Sequence, residues 1–128
     1  METSTLIATA QALVAPGRGI LAADESTGTI TKRFEALGIE STADSRRDYR
    51  ELLLTCPAVP DTVSGVILYD ETLRQSTAGG TPFPELLAAR GVVPGIKVDT
   101  GAKPLAGCPD ETVTEGLDGL RERLAEYR

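Results

Sequence analysis

Short unbroken apolar runs alternate along this chain with longer stretches in which apolar residues recur every three or four positions. Gly19 to Ala23, Val66 to Tyr69 and Gly95 to Val98 have the length and flanks of buried strands. Around them the period is helical. Leu6, Ile7, Ala10, Leu13 and Val14 predict an amphipathic helix over residues 5–15, stopped by Pro16-Gly17. Ile30, Phe34 and Leu37 form one stripe closed by Gly38 as a C-cap. Thr42 to Cys56 forms a second helix, capped by Ser41 or Thr42. Its inward face is read as Tyr49, Leu52, Leu53 and Cys56, with Arg46, Arg47, Asp48 and Arg50 mostly on other faces.

Prolines suited to a first helical turn open a short helix over Pro82 to Arg90, which ends at Gly91. Val113, Leu117, Leu120, Leu124 and Tyr127, at spacings of four, three, four and three, mark a last helix. Thr77 to Pro84 and Gly101 to Pro109 read as connectors. The order is helix, strand, two helices, strand, short helix, strand, helix, the alternation of βαβ units around a parallel sheet. The expected class is therefore α/β. Three parallel strands cannot close a barrel and would leave two open edges, so the pattern reads as part of something larger.

The chemistry sits where the strands end. Gly19 to Ala23 runs into Asp24-Glu25 and then into Ser26, Thr27, Gly28 and Thr29. In a parallel α/β protein the carboxyl end of a strand is where reactive groups are placed. The helix start that follows offers unpaired N–H groups and a positive dipole end, which suit a phosphate. Thr29 and Arg33, four apart, fall on one helical face and could grip one anion together. The plainer reading is that Asp, Ser and Thr after a strand simply cap the next helix.

The second strand repeats the design with Asp70, Glu71 and Thr72, and the third carries Lys97 with Asp99 after it. An ammonium inside an apolar strand is costly without a partner. Facing a barrel interior near Asp24, Lys97 would be paired and functional; its plainer reading is an edge lysine with a solvated tip.

Composition narrows the class without naming a reaction. The 128 residues are 41% apolar and 25% charged, with a net charge of −6, and mean hydropathy is −0.08, which is globular in type. No apolar run approaches the roughly 20 residues of a membrane span, and METSTLIATA lacks the basic start of a secretory signal, so a cytoplasmic location without membrane partners is expected. The negative balance argues against nucleic-acid binding, which needs clustered Lys and Arg. Cys56 and Cys108 form no CxxC and read as reduced thiols, Cys56 in the core. Histidine is absent. That excludes a Ser-His-Asp or Cys-His site within the chain and removes the usual zinc ligands. No metal or cofactor is expected.

Six segments together resemble one family. GILAADESTGTITKR (Gly19 to Arg33), RRDYRELLLT (Arg46 to Thr55), SGVILYDETL (Ser64 to Leu73), PGIKVDTG (Pro94 to Gly101), PLAG (Pro104 to Gly107) and ETVTEGLDGL (Glu111 to Leu120) are similar, in order and spacing, to the N-terminal part of class I fructose-1,6-bisphosphate aldolases. The resemblance implies a (β/α)8 barrel and a cytosolic homotetramer. It implies cleavage of fructose 1,6-bisphosphate into dihydroxyacetone phosphate and glyceraldehyde 3-phosphate through a lysine Schiff base. It makes Asp24 the active-site aspartate at a strand end and Lys97 a lysine beside it that helps bind a substrate phosphate. Ser26 and Thr29 fall where the family's hydroxyls contact phosphate, Thr29 standing where many relatives carry serine. Arg33 falls on a substrate-binding arginine, and Arg46 on a further arginine linked to substrate.

The family's Schiff-base lysine, its glutamate acid/base and its second phosphate loop lie on later strands that match nothing here. Such a barrel needs about 250 residues. The chain thus reads as a single incomplete barrel, residues 1–128, with a helix over 5–15, three βα units and no second domain, and as a fragment inactive by itself. The alternative at this point is a non-catalytic phosphate-binding or assembly module that complements a separate C-terminal piece.

Overall fold

The computed structural model describes residues 2–128, which divide into two compact units, one ending at Lys97 and the other spanning Val98 to Arg128. In the first, β1 (Gly19–Ala23), β2 (Val63–Leu68) and β3 (Val93–Ile96) form a parallel sheet in the order β1-β2-β3. Ala23 pairs with Leu68 and Leu68 with Ile96, so the three strands end at one level. As the middle strand, β2 is covered on both faces, and its Ser64, Gly65, Val66 and Leu68 are all buried. The α/β class follows directly.

Helix α1 (Thr3–Leu13) precedes β1, two residues earlier than the expected 5–15 at each end. Its last carbonyl, on Leu13, accepts the buried Ser64 hydroxyl at 2.6 Å. A Cβ on Gly65 would lie 2.5 Å from the Leu13 Cδ2 and 3.2 Å from the Val93 carbonyl oxygen, so a larger residue there would push the Leu13 side chain aside and crowd β3.

Between β1 and β2 stand α2 (Thr27–Glu35), α3 (Ala43–Leu54) and the short α4 (Val59–Thr62). Ser26 caps α2 by accepting the Thr29 N–H. Thr42 and Ser45 form a reciprocal capping box on α3, as the Thr42 alternative expects. Ile30 and Phe34, four apart, bury one face of α2, whereas Leu37, expected in the same stripe, lies outside it and is exposed. Gly38 has φ +68° and turns the chain so that the Ile39 N–H returns to the Phe34 carbonyl.

After β2 come α5 (Asp70–Leu73) and α6 (Phe83–Ala89). Leu54, Val59, Leu68, Phe83, Leu87 and Val92 then close the core with Ala23 and Val66. Each large apolar side chain buried there contributes about 1.5–3 kcal/mol.

Three expectations are corrected in this unit. The buried face of α3 runs through Arg50 and Leu54, so Leu52, 200° around the helix from Arg50, is 75% exposed rather than inward. Cys56, read as core, lies past the helix end and is exposed. The third strand starts at Val93 rather than Gly95, because Val93 pairs with Gly65 and Pro94 is tolerated at a sheet edge. Lys97 therefore follows the strand instead of lying within it, although its N–H still donates to the Leu68 carbonyl at 2.9 Å.

The second unit departs furthest from expectation. Where a connector and the start of a helix were read, β4 (Gly101–Leu105) and β5 (Cys108–Glu115) form an antiparallel hairpin that turns at Gly107, φ +78°. Val113 pairs with Lys103 between two threonines, and this β-branched trio favours the pleated strand over its helical spacing. Helix α7 (Leu120–Tyr127) begins only after Gly116 and Gly119. Gly116 has no room for a Cβ, which would sit 2.8 Å from the Asp99 Cα. Arg123 donates to the carbonyls of Val98, Gly116 and Asp118, joining the ends of the unit.

Candidate active site

The level ending of the three strands brings several of the singled-out residues together. Asp24 follows β1 and Lys97 follows β3, and their side chains meet across the end of β2, Nζ to Oδ2 3.7 Å. Both are about three-quarters covered, so each charge has a partner in a partly desolvated setting. One residue beyond Glu25, Ser26 and Thr29 stand at the start of α2 with their hydroxyls 3.2 Å apart. One turn along that helix is Arg33, whose side chain is 55% exposed. Asp24 and Lys97 thus meet at the strand ends, Ser26 and Thr29 meet at the start of α2, and Arg33 is tied to Glu25 beside Asp24 in the chain.

Arg46 is placed differently. It lies near the start of α3 and forms a two-pronged bridge to Glu71, Nε to Oε2 2.8 Å and Nη2 to Oε1 2.6 Å. Its remaining Nη1 donates to the Ser41 carbonyl and hydroxyl. Glu71, hydrogen-bonded and charged, raises the Arg46 pKa above its ordinary value, against a smaller opposing effect of burial.

Two site-forming residues had no role in the sequence reading. Arg50 is 1% exposed, lies over the Tyr49 ring at 5.5 Å, and donates through Nη1 to Glu25 Oε2 at 2.5 Å and through Nη2 to the Glu25 carbonyl at 2.9 Å. Glu25 Oε1 accepts from Arg33 Nη1, also at 2.5 Å. Burial pushes the Glu25 carboxyl up, but hydrogen bonds from Arg50, its own backbone N–H and Arg33, with the charge of Arg50, hold it below the ordinary value of 4.5. The Glu25 hydrogen bond and charge likewise raise the Arg33 pKa.

The missed signal was periodic. Arg46, Arg50 and Leu54 are four apart, so burying Leu54 carries Arg50 inward, and a buried guanidinium requires a carboxylate. The strand-end pairs Asp24-Glu25 and Asp70-Glu71 supply one each. In both, the second carboxylate takes an arginine from α3, which pins that helix across the ends of β1 and β2.

An α/β unit with its charged and hydroxyl-bearing residues gathered at the carboxyl ends of parallel strands belongs to the class of proteins that work at that edge. The chain is a member of the class I fructose-bisphosphate aldolase family, whose glycolytic family model matches residues 5–128. It is 63% identical over 127 residues, 99% of its length, to a Xylella fastidiosa protein named "Probable fructose-bisphosphate aldolase class 1". It is 57% identical over 122 residues, 95% of its length, to the Cicer arietinum fructose-bisphosphate aldolase, cytoplasmic isozyme. It spans 38% and 34% of those two relatives. The crystallised fructose-bisphosphate aldolase of Plasmodium falciparum, in complex with TRAP and a small-molecule inhibitor, superposes with a TM-score of 0.91 at 47% identity. That match covers 97% of this chain and 36% of the other. Among the described residues, no helix is long and apolar enough to cross a membrane.

Proposed function

We propose that this chain supplies the first three strands of a (β/α)8 barrel that cleaves fructose 1,6-bisphosphate to dihydroxyacetone phosphate and glyceraldehyde 3-phosphate. The observation that carries the reading is the Asp24–Lys97 pair, two oppositely charged side chains 3.7 Å apart at the ends of β1 and β3. An aspartate held there can take and return a proton during carbon–carbon cleavage, while Lys97 offers positive charge to a phosphate. Ser26, Thr29 and Arg33 add two hydroxyls and a guanidinium for that phosphate. Arg46 would join them only by giving up Glu71. The whole protein works in the cytoplasm as a homotetramer on phosphorylated sugars, with the Schiff-base lysine on a later strand.

The test is a chimera in which this chain replaces the segment that it matches in the Xylella fastidiosa relative. The chimera is expected to cleave fructose 1,6-bisphosphate. Asp24→Asn, which keeps shape and removes charge, is expected to lower kcat by on the order of 10²-fold with little change in KM. The 128-residue chain alone is expected to show no cleavage and no borohydride-trapped adduct with dihydroxyacetone phosphate. A trapped adduct on Lys97, Lys103 or Lys32, or an Asp24→Asn chimera with unchanged kcat, would overturn the assignment.

A further inference from the structure

We infer that Glu25 is a positioning residue for the phosphate-gripping arginine: the buried Arg50 anchors it, and it in turn holds the exposed Arg33 in place for the ligand. The inference rests on the phosphate role proposed above for Arg33. It adds two residues to which that role assigned nothing.

The geometry has a fixed end and a free end. Arg50 cannot move without leaving the core, and it holds Glu25 twice, by the carboxylate and by the main-chain carbonyl. Glu25 then has one carboxylate oxygen left, and Arg33 Nη1 takes it. Arg33 is a long side chain on an exposed helical face, with Tyr49 as a second partner, and holding such a chain in one rotamer for a ligand costs binding free energy. Glu25 removes that cost beforehand. Glu25 engages Nη1 and Tyr49 is a further hydrogen-bond partner of Arg33, while the side chain stays 55% exposed, so the guanidinium is held yet reachable by a phosphate. The charge balance agrees. One carboxylate between two guanidiniums leaves a net positive charge, so the bridge orients Arg33 without cancelling its attraction for an anion.

Were Glu25 instead a competitor that occupies Arg33 until substrate arrives, its removal would tighten binding. The positioning role predicts the reverse, and kinetics of the chimera separate the two. Arg33→Ala is expected to raise KM for fructose 1,6-bisphosphate about tenfold or more, as loss of a charge-assisted contact does. Glu25→Gln is expected to raise it about three- to tenfold, the scale of ordering one long side chain, with kcat within about twofold of the parent. In the Arg33→Ala background, Glu25→Gln should add no further rise, because its effect runs through Arg33. Glu25→Asp, which keeps the charge on a shorter arm, should recover part of the loss. Should Glu25→Gln fail to fold for want of a partner to Arg50, the paired variant Glu25→Gln/Arg50→Met removes both charges at similar volume and should give the same KM. A lowered KM, or an equal rise with and without Arg33, would overturn the inference while leaving the phosphate role standing. An Arg33→Ala chimera with unchanged KM would overturn that role, and the inference with it.

Discussion

The two arginine–glutamate bridges at the strand ends use the same chemistry to opposite effect. Glu71 gives both oxygens to one arginine, and Ser41 takes what Arg46 has left, so that bridge is charge-neutral and its donors are engaged. Glu25 divides its oxygens between a buried arginine and an exposed one, so this bridge keeps a positive charge and an arginine that solvent still reaches. How a carboxylate is shared therefore separates an arginine closed into a strap from one that, on the proposed function, serves as a hand. Residue type alone does not.

Arg50 is where that distinction breaks most severely. Arg50→Ala in the chimera would empty a large buried volume and leave Glu25 partly covered with only an exposed partner, so a loss of about 3–5 kcal/mol is expected in denaturant unfolding. The paired Glu25→Gln/Arg50→Met variant should recover much of that stability, since a well-packed apolar replacement of a buried ion pair is often neutral. A cost for Arg50→Ala below about 1 kcal/mol, the scale of exposed ion pairs, would mean that the clasp is not anchored in the core.

Arg46 sharpens the comparison at a smaller magnitude. Arg46→Ala removes a two-pronged contact tying α3 to the end of β2, for an expected cost of about 1–3 kcal/mol. Arg46→Lys should restore only part of it, because an ammonium cannot reproduce the fork. Arg33→Ala should leave the unfolding midpoint near the parent while weakening bisphosphate binding. If Arg46→Ala instead raised KM as much as Arg33→Ala with stability unchanged, the division into strap and hand would fail.

Much of this arrangement was legible in the sequence, for reasons that also explain the rest. Asp24, Ser26, Thr29, Arg33 and Lys97 could be named because a strand end, a capped helix and a four-residue spacing are local patterns. The three parallel strands were legible as short apolar runs, with bounds blurred by pairing: Val93 joins β3 because Gly65 lies opposite it. Arg50 escaped: it shares its helical face with the buried Leu54, but the carboxylate that lets a charge lie there is Glu25, 25 residues away. The β4–β5 hairpin escaped for a different reason, since Val113, Leu117 and Leu120 carry helical spacing while the Thr-Val-Thr trio and Gly116 favour a strand and its end. Cross-strand pairing outweighs spacing there.

The finest probe of the comparison is acid titration, with the smallest expected effect. Glu25 has a folded-state pKa below its ordinary value of 4.5, so the folded state binds its proton less readily than the unfolded state does. A depressed carboxyl contributes stability that is fully present above about pH 4.5 and is lost as pH falls below it, through the lowered folded value. The proton that ends this contribution must also weaken the hold on Arg33. In the chimera, unfolding free energy followed from pH 6 downward should therefore fall more steeply below pH 4.5 in the parent than in Glu25→Gln/Arg50→Met, which has no carboxyl at that position. Other acidic groups contribute the common background, and the difference between the two curves isolates the clasp. Parallel curves below pH 4.5 would mean that Glu25 gains nothing from its two arginines. The contrast with the closed Glu71 bridge would then rest on geometry without energetic weight.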